Sequence, residues 1–225
     1  MCGRYTLLSN ADEIIEFFRL SREILVLLES RYNIAPTQPV LVIHERDQER
    51  QAEQMLWGLI PSWSKDAKPN ASLINARSET LGLKPSFRAA FKRRRCIVPA
   101  SGFYEWQKFN KAKQTFYIQP KSEKLFAFAG LWDEVGEGVR SCAIVTTAAN
   151  SLMQSFHDRM PVILEEKDFA TWLDPTNENV EALTPLLKPF RASEMRASPV
   201  SNFVNSARNQ GPKCLEPASH EPTLF

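Results

Sequence analysis

The sequence predicts a single-domain α+β fold with a sheet-rich core and flanking helices. Seven short apolar runs of β-type composition follow one another through the middle of the chain, while helical patterning is confined to one segment near the start and three later ones. No repeat, low-complexity tract or Gly/Ser/Pro-rich linker divides the 225 residues, a length sufficient for one core. The domain is expected over residues 1–217, with 218–225 a flexible C-terminal tail.

The first helix is expected near residues 10–20, where Asn10 can cap, Glu13 stands three residues on, and Ile14, Ile15, Phe17 and Phe18 give an apolar face. Ile24 to Leu28 fits helix or strand equally. Strands are expected at Val40–Glu45, Met55–Leu59, Cys96–Val98, Phe103–Gln107, Thr115–Gln119, Phe126–Trp132 and Ser141–Thr146. The polar run around Asn110 suggests a hairpin connection, and Gly136 with Gly138 another turn. Helical patterns return after Ser86, after Glu165 and after Asn177, the last stopping before Pro189. Prolines 199, 212, 217 and 222 make the final segment extended.

Composition limits the function. Lys+Arg 28 against Asp+Glu 26 leaves a net charge of +2, so a polyanion partner would have to be met by clustered rather than bulk charge. No apolar run reaches the ~18 residues of a membrane span, and the start lacks the basic and apolar regions of a secretory signal, which argues for a cytoplasmic protein without a membrane partner. Cysteines 2, 96, 142 and 214 are too dispersed for a disulfide framework or a zinc ligand set, so neither metal nor cofactor is expected.

Cys2 carries the chemical interest. Initiator methionine is normally removed before a small residue such as cysteine, leaving an α-amine beside the thiol. That amine has an unperturbed pKa of about 7.7–8.0, low enough to attack a carbonyl near neutral pH. With an aldehyde it can form an imine, on whose carbon the thiol closes to give a five-membered thiazolidine. The competing reading is a small apolar residue packed under the first strand.

Strand parity groups the other candidates. If Cys2–Leu7 is extended, Cys2, Arg4 and Thr6 share a face; Asn75 and Arg77 share one, as do His157 and Arg159. Glu105 falls on the Phe103 face of Gly102-Phe103-Tyr104-Glu105-Trp106, and such surroundings should raise its pKa for acid/base work. The arginines suit phosphate oxygens, and Trp63, entering a polar loop, could stack on a base or cap the core edge. Lys92-Arg93-Arg94-Arg95 is read as a weak electrostatic contributor.

Seven ordered motifs resemble the SOS-response-associated peptidase (SRAP) family, proteins that process abasic sites in DNA. They are Met1-Cys2-Gly3-Arg4-Tyr5, Tyr32-Asn33-Ile34-Ala35-Pro36, Trp57-Gly58 with Pro61-Ser62-Trp63, Ile74-Asn75-Ala76-Arg77-Ser78-Glu79-Thr80, Gly102 to Trp106, His157-Asp158-Arg159-Met160-Pro161, and Ser198-Pro199-Val200-Ser201 with Val204-Asn205. The resemblance implies a barrel-like core and an enzyme that crosslinks Cys2 to the ring-opened sugar of an abasic site in single-stranded DNA. It implies proton shuttling by Glu105, positioning of the Cys2 amine and sugar by Asn75, and either assistance to ring opening or a hold on the sugar hydroxyl by His157. Arg4, Arg77 and Arg159 would hold phosphates, while Trp63 and the loop of Asn33 to Pro36 would shape the strand. Ser64 departs from members that carry a second aromatic there, so this loop would grip DNA differently.

The implied chemistry needs only a monomer, nucleoid-associated when on DNA. The family's peptidase label implies hydrolysis at the bond before Cys2. A Cys2-dependent thiol (auto)peptidase and a non-covalent single-stranded DNA-binding module are therefore the alternatives.

Overall fold

Apolar runs, turn signals and caps place most elements of the computed structural model, which describes residues 2–21, 29–65, 68, 69, 71–109, 112–122 and 124–218. The ambiguous Ile24 to Leu28 segment, the Asn110 connection and the tail from residue 219 lie outside the described residues. Helix α1 (Ala11–Phe18) starts at the Asn10 capping box with Glu13 and buries Ile14 and Phe18. It ends where Arg19 adopts a left-handed conformation, φ 55°.

The strands form two sheets. In the first, β12 (Met195–Val200), β8 (Ala112–Pro120), β7 (Gly102–Phe109), β1 (Tyr5–Leu7) and β2 (Arg31–Ile34) lie in that spatial order. The second is built on β10 (Val139–Ala148), β4 (Glu49–Trp57), β3 (Pro39–Arg46), β6 (Arg95–Ala100) and β9 (Phe126–Val135). Because β9 pairs back onto β10, these five strands close into a barrel, as the SRAP resemblance implied. β5 (Asn75–Arg77) and β11 (Arg159–Pro161) join β10 beyond the closure.

The inner face of the first sheet packs on the barrel, Tyr5 meeting Trp57 and Phe128 edge-on with ring centroids 5.3 and 6.1 Å apart. Its outer face holds a smaller cluster of Tyr104, Tyr117, Val200, Val204 and Cys214 under the C-terminal segment. Gly102 is required where β7 meets β8: a Cβ there would lie 2.5 Å from the Tyr117 ring, whose hydroxyl is 2.8 Å from Thr6 Oγ1.

The helices α2 (Pro85–Arg93), α3 (Phe169–Leu173) and α4 (Val180–Leu183) cover the barrel, and here the basic run is corrected. Arg93 pairs with Glu178 and Arg94 with Asp133, so neither is a free cation. Arg95 is 2% exposed, and its guanidinium donates to the carbonyls of Phe91, Lys92, Trp172, Asp174 and Asn177. It closes the C-terminal end of α2 and ties it to the segment after α3. Burial lowers its pKa to about 10. Arg95→Ala would strand these acceptors; a loss of about 3–5 kcal/mol is expected from urea unfolding, with Arg95→Lys restoring part. A loss below about 1 kcal/mol would mean that water replaces the guanidinium.

Candidate active site

Cys2 lies in the buried cluster where the first sheet packs on the barrel. β1 begins at Tyr5, and the β7 ladder reaches back only as far as the Arg4 carbonyl, which accepts from Tyr104 N at 2.9 Å, so residues 2 and 3 lie beyond it. Alternation therefore does not extend back to Cys2, which joins Tyr5 and Phe103 in the main buried cluster with no exposed surface. Arg4 turns the other way: Nη1 donates to Asn33 Oδ1 at 2.7 Å and to Val204 O at 3.1 Å, and the guanidinium lies over Trp106. The expectation that Cys2 and Arg4 share a face is thus corrected.

Two strands converge on Cys2. β5 carries Asn75, whose Nδ2 donates to the Cys2 carbonyl at 2.9 Å, while its Oδ1 is buried without a hydrogen-bond partner among the described residues. β7 carries Glu105 at 4% exposure. Burial raises its carboxyl above the usual range, partly countered by the charge and hydrogen bond of the chain's amino terminus. Burial also pushes the Cys2 thiol well up, and the Glu105 charge adds to that. The thiol is therefore protonated near neutral pH.

His157 lies in the loop before β11. Its Nδ1 accepts the Arg159 backbone N–H at 3.0 Å, which places the proton of the neutral ring on Nε2. Asp158 Oδ1 also lies 2.6 Å from Nδ1, a contact suited to a protonated ring. Burial, the amino terminus and Arg159 outweigh that largely exposed carboxylate, and the histidine pKa is lowered.

The expected DNA-facing residues divide into open and engaged groups. Arg77 at the end of β5 is exposed, and among the described residues its side chain makes no ion pair or hydrogen bond. Trp63 is 67% exposed on a loop fixed from below: Asp133 accepts from Ser62 N at 3.0 Å and is itself held by Arg94 at 3.0 Å. Pro36 is half-buried in the turn between β2 and β3, where Thr37 has φ 70°.

Asn33 is the correction in this group. It is fully buried, its amide donating to Val204 O, Ser206 O and Asn209 O while Oδ1 accepts from Arg4, so its side chain organises the C-terminal segment rather than facing a strand. Arg159 is engaged too, its Nη1 and Nη2 donating to the two oxygens of Glu79 at 2.6 and 2.9 Å. Sequence reasoning gave Glu79 no role, although an acid two residues after Arg77 was a visible signal.

A small-barrel α+β protein that gathers an amide, a desolvated acid and a neutral histidine around the second residue of its chain is the class these features define. The chain belongs to the SOS response associated peptidase (SRAP) family, whose model matches residues 1–207. It is similar to the abasic site processing protein YoqW of Bacillus subtilis, 44% identical over 96% of this chain and 99% of that one. It is also similar to the abasic site processing protein HMCES of Xenopus tropicalis, 34% identical over 82% of this chain and 65% of that one. A crystal structure from Bacteroides thetaiotaomicron superposes with a TM-score of 0.85 at 28% identity, covering 97% of this chain and all of that one.

Proposed function

We propose that the protein processes abasic sites in single-stranded DNA, capturing the ring-opened deoxyribose aldehyde through Cys2 once Met1 is removed. The observation that carries the reading is the grip of Asn75 on the Cys2 carbonyl beside the buried Glu105. This holds the second residue where an α-amine, a thiol and an acid act on one carbon. The relatives named for abasic site processing support the substrate.

The steps balance without an oxidant. The neutral Cys2 amine adds to the aldehyde carbon, since the thiol is held protonated by its burial. Glu105, whose burial favours the protonated form, gives a proton to the carbinolamine hydroxyl, which leaves as water to give an iminium ion. The Cys2 sulfur then bonds to the iminium carbon, and its proton returns to the Glu105 carboxylate while the nitrogen becomes neutral. One water is lost, and a thiazolidine joins protein to sugar. His157, with its proton on Nε2, donates to the ring oxygen as the sugar opens or holds its hydroxyl, and Asn75 Oδ1 accepts from the Cys2 amine.

Arg77 offers a phosphate an open guanidinium and Trp63 offers a base an exposed ring, while Pro36 shapes the neighbouring turn. Arg4, bound to neutral protein oxygens, adds charge behind them, while the charge of Arg159 is offset by Glu79. Arg77→Ala should weaken binding and reduce the salt slope by about 0.7, the share of one phosphate on a single strand. An unchanged slope in a binding titration would make Arg77 structural.

The reading is tested by incubating the purified chain with uracil-containing single-stranded DNA pretreated with uracil glycosylase. A heat- and denaturant-stable adduct is expected, with the mass of the Met1-less chain plus DNA minus one water. Binding without any adduct would leave a non-covalent module, and peptide cleavage without an adduct would leave the peptidase.

A further inference from the structure

Three charged side chains meet around Thr146 of β10. Arg77 is its register partner across the parallel pairing with β5, and Arg159 Nη2 donates to its carbonyl at 2.6 Å. Glu79 completes the group by taking both terminal nitrogens of Arg159. Arg77 and Arg159 each lie two residues from a residue of the candidate site, Asn75 and His157, so this cluster borders the place where the strand would pass.

The pairing bears directly on what Arg159 can bind. A carboxylate held by two parallel N–H donors occupies the same fork that a phosphate would take. With Thr146 O on Nη2 as well, Arg159 has its outward edge filled while Glu79 stays in place. Arg159 is 12% exposed and Glu79 53%, so the cation is fixed against β10 and the acid is the movable partner. Arg77 has no such counter-ion among the described residues. Two arginines of opposite availability thus stand on either side of one strand of the barrel.

We propose that Glu79 is a specificity-determining residue: by occupying Arg159 it weakens the hold on undamaged single strands, leaving retention to the covalent step. This rests on the single-stranded DNA reading. Phosphates occur at every nucleotide, so each open arginine strengthens binding to lesion and intact strand alike. The aldehyde occurs only at the lesion. Neutralising Arg159 therefore removes non-selective affinity without touching the selective bond, and it suits a chain whose net charge is only +2.

The test compares wild type with Glu79→Gln and Glu79→Ala for binding of an intact single-stranded oligonucleotide across about 50–200 mM salt. Both variants should bind about threefold to tenfold more tightly at the low-salt end, with a salt slope steeper by about 0.7. Combining Glu79→Gln with Arg159→Gln should abolish the gain. An unchanged slope in both single variants would overturn the proposal, as would a gain that persists without Arg159. Wild type is assayed alongside on the glycosylase-treated strand. If it neither binds nor crosslinks, the functional reading has failed; if it does both while the slope stays put, only the role of Glu79 has.

Discussion

Cys2→Ala is expected to abolish the heat-stable adduct with abasic single-stranded DNA while leaving affinity for intact strands within about twofold of wild type. Alanine is also small enough for Met1 to be removed before it, so the variant keeps a terminal α-amine able to form an imine. What it loses is the second bond. An imine hydrolyses, so the variant should yield a product only when borohydride reduces the imine in place. The fold should survive, because the substitution removes one atom from a large buried cluster at a cost of about 1 kcal/mol. A denaturing gel with and without reductant separates the possibilities. As much unreduced adduct from Cys2→Ala as from wild type would rule out the thiazolidine and point to a nucleophile placed elsewhere, and loss of both products would mean that the thiol, not the α-amine, makes the first bond.

The parts of the fold legible in the sequence are those whose side chains face apolar surroundings. β6, β9 and β10 are buried along nearly their whole length and stand out as continuous apolar runs. The first half of β4 does not. Glu49 to Gln54 is almost entirely polar, and it is a strand because it forms a hairpin with β3 through register pairs that begin at Arg46 and Glu49. The turn there, Asp47-Gln48, has φ 53° and 65° at its two central residues, a geometry usually announced by Asn-Gly. β12 was expected only as extended chain because it contains Pro199; it lies at the sheet edge, where a missing N–H is tolerated.

The site divides along the same physical line. Asn75, Glu105 and His157 follow from alternation within short segments. Partners that are backbone carbonyls leave no sequence pattern, which is why Arg95 could not be told from its solvated neighbours or Asn33 from a surface loop residue. The side of the chain on which Cys2 falls was equally hidden, since it depends on where β1 starts. Periodicity does not fix that point. The acid of the site is the residue for which periodicity and environment agree, and its expected effect on rate is correspondingly specific.

Glu105→Gln should slow adduct formation by about 10²–10⁴-fold, the usual contribution of a positioned general acid. Binding of intact DNA should be unaffected, because Glu105 is only 4% exposed. The pH dependence distinguishes proton transfer from a change of shape. The wild-type rate depends on a protonated carboxyl and a neutral amine together: it climbs with pH up to the lower of their two pKa values, levels off between them, and falls above the higher. Glutamine cannot lose a proton, so the variant's rate should climb to the amine pKa and then stay flat.

Stability should move the opposite way from rate. A carboxyl whose folded-state pKa is raised stabilises the fold below its unfolded pKa and loses that contribution as pH rises through the folded value. At pH 8 the buried charge is a burden that glutamine removes. Glu105→Gln should therefore raise the melting temperature at pH 8 more than at pH 5. A variant that is slower, equally tight in binding and more stable at high pH is one in which Glu105 acts through its proton; unchanged stability at both pH values, with the descending limb of the rate profile intact, would make it a packing residue instead.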